Sequence, residues 1–311
     1  MKKLLSLMLV LVLALGLAAC GTNNEEGANN GGNNGGGESG GETPEKIIMG
    51  FVPSQDSDEI AGTVEPLAKQ LEEEIGIPVE GKVMTNYSAL VEAMGSNQVQ
   101  IGFLPAFGYV LAHQKHGVEV ILKSERHGSD TYRAQYVVRA DSGIENLEDL
   151  EGKVWAVPDL TSTSGFLFPA AQIMDKFDVK DVQTEFFSDT IQAGGHDNAV
   201  ISVLEGDADV ATTFDDARTT IEEDYPEVMD KTKVIGYTED IPNDTISVTK
   251  ELSDDLQKKI KEAFLSFNDN EDMIKIMNEV YSWDAIREAN NDEYKVVADT
   301  YEKFKDTITL D

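Results

Sequence analysis

The chain has a single cysteine, Cys20, in 311 residues, so it can form no internal disulfide and no cysteine-based metal cluster. Bases are scarce: 25 Lys and Arg stand against 58 Asp and Glu, for a formal net charge of -33. Such a surface repels nucleic acid and anionic lipid heads, which argues against both as partners. Histidine is scarce as well. His113 and His116 lie three apart on an expected helix, but no carboxylate pattern completes a metal site around them. Neither a metal nor a cofactor is expected. No Gly-x-x-x-x-Gly-Lys-[Ser/Thr] phosphate loop is present, so the chain does not itself use a nucleotide to drive work. After residue 19 no stretch is long and apolar enough to span a bilayer as a helix. The acidic runs Glu72-Glu73-Glu74 and Glu222-Glu223-Asp224 read as solvated faces.

What is present begins at the N-terminus. Lys2 and Lys3 precede an apolar stretch from Leu4 to Ala19, the pattern of a secretory signal segment over residues 1–19. The stretch is slightly short for a single-pass anchor. Its ending, Leu17-Ala18-Ala19-Cys20, resembles the lipobox of bacterial lipoproteins, which implies cleavage before Cys20 and lipid on its sulfur. Residues 20–45 are mostly Gly, Asn, Glu, Ser and Thr, too polar to offset the entropy of ordering, and read as a flexible tether. Together these features place the protein outside the cytoplasm, lipid-anchored to the outer face of a membrane, in a single-membrane envelope. The remaining roughly 265 residues suffice for one large domain or two lobes of about 100–150 residues each.

From Lys46 the pattern alternates between short apolar runs and amphipathic segments. Strands are expected at Ile47–Val52, Val79–Met84, Val99–Leu104, Val118–Leu122 and Gln135–Arg139, with helices at Gly62–Ile75, Ser88–Met94 and Phe107–His116. A second run of the same rhythm starts near Gly143. It has strands at Val154–Val157, Gln183–Phe187 and Asp209–Phe214, and helices at Phe166–Phe177 and Asp197–Glu205. The tail from Leu252 to Phe304 is helical, with Leu256, Ile260, Phe264 and Phe267 at helical spacing. Alternation of this kind implies an α/β fold with mostly parallel pairing. Two such lobes leave a cleft, and clefts beyond strand ends are where α/β folds take ligands.

Ser162-Thr163-Ser164-Gly165 sits where the strand Val154–Val157 gives way to the next helix. Three hydroxyls and the free N–H groups of a helix start form a cradle for a tetrahedral oxyanion. Ser and Thr are also the preferred residues at an ordinary helix N-cap, so the tetrapeptide alone leaves both readings open. A nucleophilic serine is a further alternative, with His196 as base. Against it, three hydroxyls in a row suit a static anion site, and neither Ser162 nor Ser164 lies in a Gly-x-Ser-x-Gly elbow.

Several stretches together carry a resemblance. They are Phe51-Val52-Pro53-Ser54, Thr85-Asn86-Tyr87-Ser88, Gly102-Phe103-Leu104-Pro105-Ala106, Tyr132-Arg133-Ala134-Gln135, the hydroxyl loop, Gly195-His196-Asp197 and Gly206-Asp207-Ala208-Asp209-Val210. In this order they resemble the PhnD-like substrate-binding lipoproteins of phosphonate, phosphite and phosphate ABC importers, over about residues 46–311. The resemblance implies a two-lobe periplasmic-binding-protein fold of type II with two hinge strands. Lobe 1 would be 46–136 plus 246–311 and lobe 2 would be 137–245, with crossovers near Gln135–Arg139 and Thr245–Thr249. It implies that Ser162, Thr163 and Ser164 hold the anion's oxygens, that His196 adds a donor, and that Tyr87 and Tyr132 reach in from lobe 1. An acidic residue, Asp215 or Asp216, together with Asp244, would hold an amino group or a protonated oxygen. The family more often has glutamate at the former position, and the shorter side chain here suits a smaller ligand. The implied partners are a small phosphorus oxyanion, an ABC permease and its ATPase. A tethered sensor that binds the same ligand and signals to a receptor is the alternative.

Overall fold

The computed structural model describes residues 41–306. Cys20, the expected signal segment and the expected tether up to residue 40 lie outside the described residues. The chain runs β1 (Ile47–Phe51), α1 (Ser57–Ile75), β2 (Val79–Val83), α2 (Tyr87–Gly95), β3 (Ile101–Leu104), α3 (Ala106–His116) and β4 (Glu119–Glu125). It continues with β5 (Thr131–Arg139), β6 (Val154–Val157), α4 (Phe168–Phe177), β7 (Asp189–Gln192), α5 (His196–Glu205), β8 (Val210–Phe214), the short α6 (Val228–Lys231) and β9 (Thr232–Pro242). The last part holds β10 (Thr245–Val248), α7 (Asp254–Ser266), α8 (Glu271–Tyr281), β11 (Ala285–Glu288) and α9 (Lys295–Phe304).

Local chemistry sets these elements. Asp56 starts α1 by accepting the N–H groups of Asp58 and Glu59, at 2.9 and 3.0 Å. Gly76, at φ 73°, ends it in the left-handed conformation. The helix begins five residues before the expected Gly62, because its first turn is polar and exposed and shows no apolar period. Pro66 inside the helix costs about 3 kcal/mol. Burial of Ile60, Val64, Leu67, Leu71 and Ile75 at about 1.5–3 kcal/mol each outweighs that cost.

The strands form a six-stranded sheet in the order β11-β4-β10-β3-β1-β2 and a five-stranded sheet in the order β7-β6-β8-β5-β9. The expected mostly parallel pairing gives way to mixed sheets. β10 lies antiparallel between β3 and β4, and β5 lies antiparallel between β8 and β9. Each is the first strand laid down after the chain passes from one sheet to the other, so each enters from the opposite end. The passages occur at residues 126–130 and 243–244. The expected crossovers fell several residues later, since Thr131–Tyr136 already pair with β9 in the second sheet. The pairing partner decides this, and hydrophobic periodicity does not carry it.

Gln183–Phe187, expected as a strand, is instead mostly a π-helical turn over Val182–Phe186, started by the Asp181 carboxylate accepting the Gln183 N–H at 2.9 Å. The strand follows at β7. Glu42, placed in the tether by composition, is bonded to the folded body. Its N–H donates to the Glu251 carbonyl at 2.7 Å, and its carbonyl accepts the Ser253 N–H at 3.0 Å. Aromatic packing fills both lobes. Phe51 stacks on Phe103 at 4.3 Å in the first, and Trp155 stacks on Phe166 and Phe187 in the second.

Candidate functional site

The lobes meet through helix starts. A helix leaves its first N–H groups without partners, and here the opposite lobe supplies them. Asp159 of the second lobe accepts the Tyr87 N–H at the start of α2, at 3.3 Å. Thr163 Oγ1 accepts the Phe107 N–H of α3, at 2.9 Å, where Pro105 offers no side-chain cap. In the other direction, the Ser54 carbonyl accepts the His196 N–H at the start of α5, at 2.8 Å. The hydroxyl loop precedes α4. Four helix starts, each with a positive dipole end, therefore surround one point.

At that point lies a cavity of about 30 Å³, as traced by the centre of a water-sized sphere. About 10–15 Å³ on that measure holds one water, so the cavity suits a group of a few heavy atoms. Ser162, Ser164, His196, Tyr87, Tyr132 and Asp244 line it, and Tyr132 does so from β5 of the second sheet, not from lobe 1 as expected, because Thr131–Arg139 pairs with β9. Thr163 does not; its hydroxyl is spent on α3. Asp215 and Asp216 also lie outside the lining. Asp215 faces Arg133 at 3.6 Å. Asp216 is gripped by Arg218 through two nitrogens, at 3.0 and 2.7 Å, and by Gln135 at 2.9 Å. Burial pushes the Asp216 carboxyl up, but Arg218 and Gln135 outweigh it and hold it below its ordinary value.

The loop's shape depends on Gly165. A Cβ there would meet Pro158 Cγ at 2.2 Å and Ser162 Oγ at 2.7 Å. From behind, the Trp155 indole N–H donates to Thr212 Oγ1 at 2.8 Å, and the Thr212 hydroxyl donates to the Gly165 carbonyl. The buried core thus positions the cradle. Ser162 Oγ accepts the Gly165 N–H at 3.0 Å and faces His196 Nε2 at 3.5 Å. Burial first, then the Arg126 cation, lower the His196 pKa to about 3, so the ring is neutral near pH 7. Its other nitrogen, Nδ1, is buried without a hydrogen-bond partner among the described residues. Tyr87 Oη and Ser54 Oγ are likewise buried and unpartnered. Orphan polar atoms cost about 1–3 kcal/mol each unless a ligand satisfies them.

Arg126 escaped the sequence reading. It sits in the first passage between sheets, where His127 and Gly128 make a tight turn at φ 51° and 71° and Arg126 and Ser129 exchange backbone bonds at 2.9 Å. Its side chain is buried in the cavity wall, 4.7 Å from the Phe214 ring and 5.7 Å from the Tyr132 ring. Among the described residues, no carboxylate lies within ion-pair distance of it. Asp244, in the second passage, brings the one carboxylate lining the cavity among the described residues. Burial raises its pKa, opposed by Arg126 and by the Trp283 indole N–H. A turn signal with a base at its foot, in a chain poor in bases, was the available cue. The site thus collects hydroxyls, a neutral imidazole, a guanidinium and one carboxyl, a set matched to an oxyanion that carries a proton.

Comparison with known proteins agrees. The family described as the periplasmic substrate-binding protein of phosphonate ABC transporters matches residues 49–294. The chain is 32% identical over 180 residues to the phosphate-import protein PhnD of Mycolicibacterium smegmatis, covering 55% of this chain and 56% of that protein. It is 26% identical over 223 residues to the phosphonates-binding periplasmic protein of Escherichia coli, covering 70% and 65%. The matches therefore span just over half to about two thirds of these curated relatives. A binding protein component of an ABC phosphonate transporter from Pseudomonas aeruginosa superposes with a TM-score of 0.76 at 22% identity, covering 84% of this chain and 87% of that one. PhnD1 from Prochlorococcus marinus, in complex with methylphosphonate, gives 0.75 at 16% identity, covering 85% and 99%. The shared fold is the two-lobe type II periplasmic-binding-protein architecture. The chain belongs to the family of periplasmic substrate-binding proteins of phosphonate ABC transporters, a family of binding proteins and not of enzymes.

Proposed function

We propose that the protein is the extracytoplasmic solute-binding component of an ABC importer and takes a phosphorus oxyanion between its lobes. The observation that carries this is the ring of buried, unpartnered polar atoms, Ser54 Oγ, Tyr87 Oη and His196 Nδ1, around a cavity that also holds Arg126 and the Ser164 hydroxyl. The ligands in the relatives' names, phosphate, phosphonates and methylphosphonate, fit such a donor set.

The mechanism follows from magnitudes. The interlobe bonds that end on Ser54 and Thr163 contribute about 0.5–1.5 kcal/mol each and the one that ends on the Asp159 carboxylate about 1.5–3, and several bonds to a charged oxyanion, each also about 1.5–3 kcal/mol, add to them when the site is filled. Ligand occupancy therefore decides between open and closed forms, and a permease with its ATPase reads the closed one. Lobe 1 runs to the first passage between sheets and resumes after the second, with Arg126 and Asp244 on the passages themselves. Lipid on Cys20 and a Gly/Asn-rich tether hold the protein at the outer face of the cell membrane, a reading supported by the signal-segment pattern.

Isothermal titration of the full-length chain in mild detergent, with phosphate, phosphite and methylphosphonate against a sulfate control, tests the reading. Micromolar or tighter binding of one phosphorus oxyanion is expected, together with loss of that solute's uptake when the protein is deleted. Binding of none of the three would sink it.

A further inference from the structure

We infer that this cavity is built for a compact, non-amino phosphorus oxyanion, with Arg126 as the residue that reads the ligand's negative charge and rejects a cationic substituent. The inference rests on the phosphorus-oxyanion reading above. Three independent placements carry it. Arg126 is 7% exposed, its guanidinium is held between the Phe214 and Tyr132 rings, and among the described residues it has no ion pair of its own. A buried guanidinium with no ion pair of its own is strongly attractive to an anion and strongly repulsive to an ammonium sharing the same small space.

The carboxylates that an ammonium would need are elsewhere. Asp215 and Asp216 lie outside the cavity, committed to Arg133 and Arg218. Asp244 is the one carboxyl in the lining among the described residues, and the positive charge facing it is already that of Arg126. Space agrees with charge. The cavity is about 30 Å³, and Phe103, Leu104, Pro105 and Tyr281 wall it with apolar surface. A hydrogen or methyl on phosphorus fits against such a wall, whereas an aminoethyl arm places its ammonium beside the guanidinium or against the rings. Arg126 and Asp244 occupy the two passages between lobes, so the ligand's charge and its proton are both read at the hinge.

The test is titration of the full-length chain and of Arg126→Gln and Arg126→Lys with methylphosphonate, phosphite, phosphate and 2-aminoethylphosphonate. For the wild type, at least one non-amino ligand is expected to bind about 100-fold more tightly than 2-aminoethylphosphonate. Arg126→Gln is expected to lose at least tenfold for that ligand and to narrow the ratio, while Arg126→Lys, which keeps the charge, retains the preference. Circular dichroism of both variants confirms that they fold, and the wild-type ratio stands without them. Equal wild-type affinity for the amino and non-amino ligands, or an unchanged ratio in folded Arg126→Gln, overturns the inference and leaves the oxyanion reading intact. Wild-type binding to none of the four overturns both.

Discussion

Thr163 Oγ1 in the second lobe accepts the Phe107 N–H of the first at 2.9 Å, so a side chain of one half caps a helix of the other. The hydroxyl that the sequence assigned to the ligand acts as a latch between lobes. Thr163→Val keeps the shape and removes the acceptor, leaving a donor unsatisfied in the closed form at a cost of about 1–2 kcal/mol. Ligand affinity is expected to fall roughly five- to thirtyfold, with the melting temperature of the ligand-free protein little changed. Titration calorimetry paired with a thermal melt checks this, and an unaltered affinity would remove the latch.

Ser164 differs from Thr163 in lining the cavity itself, although both hydroxyls lie beside that of Tyr132. Ser164→Ala deletes a donor to a charged acceptor, and binding is expected to weaken at least about tenfold without unfolding. His196→Ala is expected to do the same. Near-wild-type titration curves for both would leave the hydroxyl loop as a helix cap.

Asp244 faces the site with a carboxyl that can accept a P–OH proton and that repels an oxyanion lacking one. Asp244→Asn exchanges that repulsion for an N–H donor. The variant is expected to gain sulfate binding by about tenfold or more and to lose part of its affinity for phosphorus oxyanions. Competition between sulfate and methylphosphonate reads the ranking directly; an order identical to wild type would rule out this role.

His196 makes stability depend on pH. In the unfolded chain it takes a proton near pH 6.5, and in the folded protein only near 3, because burial and Arg126 disfavour the cation. Between those values the unfolded state binds more protons, so stability declines as pH falls, by at most about 1.4 kcal/mol per unit. Asp244 and Asp197, raised above 3.8 chiefly by burial, act in the opposite sense over the lower part of that range. Denaturant titrations of wild type and His196→Gln isolate the histidine. The wild type should lose stability more steeply from pH 6.5 to 4, and parallel profiles would contradict the buried neutral ring.

Much of this was legible in the sequence because it is local. The apolar runs of β1 and β3 are buried throughout, and the positions Leu256, Ile260, Phe264 and Phe267 all reach the core. Ser162-Thr163-Ser164-Gly165 announced itself because a hydroxyl run at a strand-to-helix turn is a contiguous pattern. What was not legible depends on partners distant in the chain. For Arg126 the sequence offers only the turn beside it, which marks a loop and not a site; its position on a passage between sheets is what brings it to the cavity. Asp215 and Asp216 looked available until Arg133 and Arg218 were found beside them. Thr163 could not be told from its two neighbours, since only the approach of Phe107 from the other lobe separates their tasks. The turn at Val182–Phe186 was hidden because Phe186 and Phe187 bury their rings in different packing partners, which imitates a strand's apolar run.

The two backbone bonds that tie Glu42 to Glu251 and Ser253 have a mechanical consequence. The N-terminal chain leaves the folded body at the first lobe, on the stretch joining β10 to α7. A pull on the chain at Glu42 is borne by one half of the fold, while the other half is joined to it covalently by the short passages that carry Arg126 and Asp244. A load at Glu42 thus enters the first lobe directly and reaches the second, along the chain, only through those two passages.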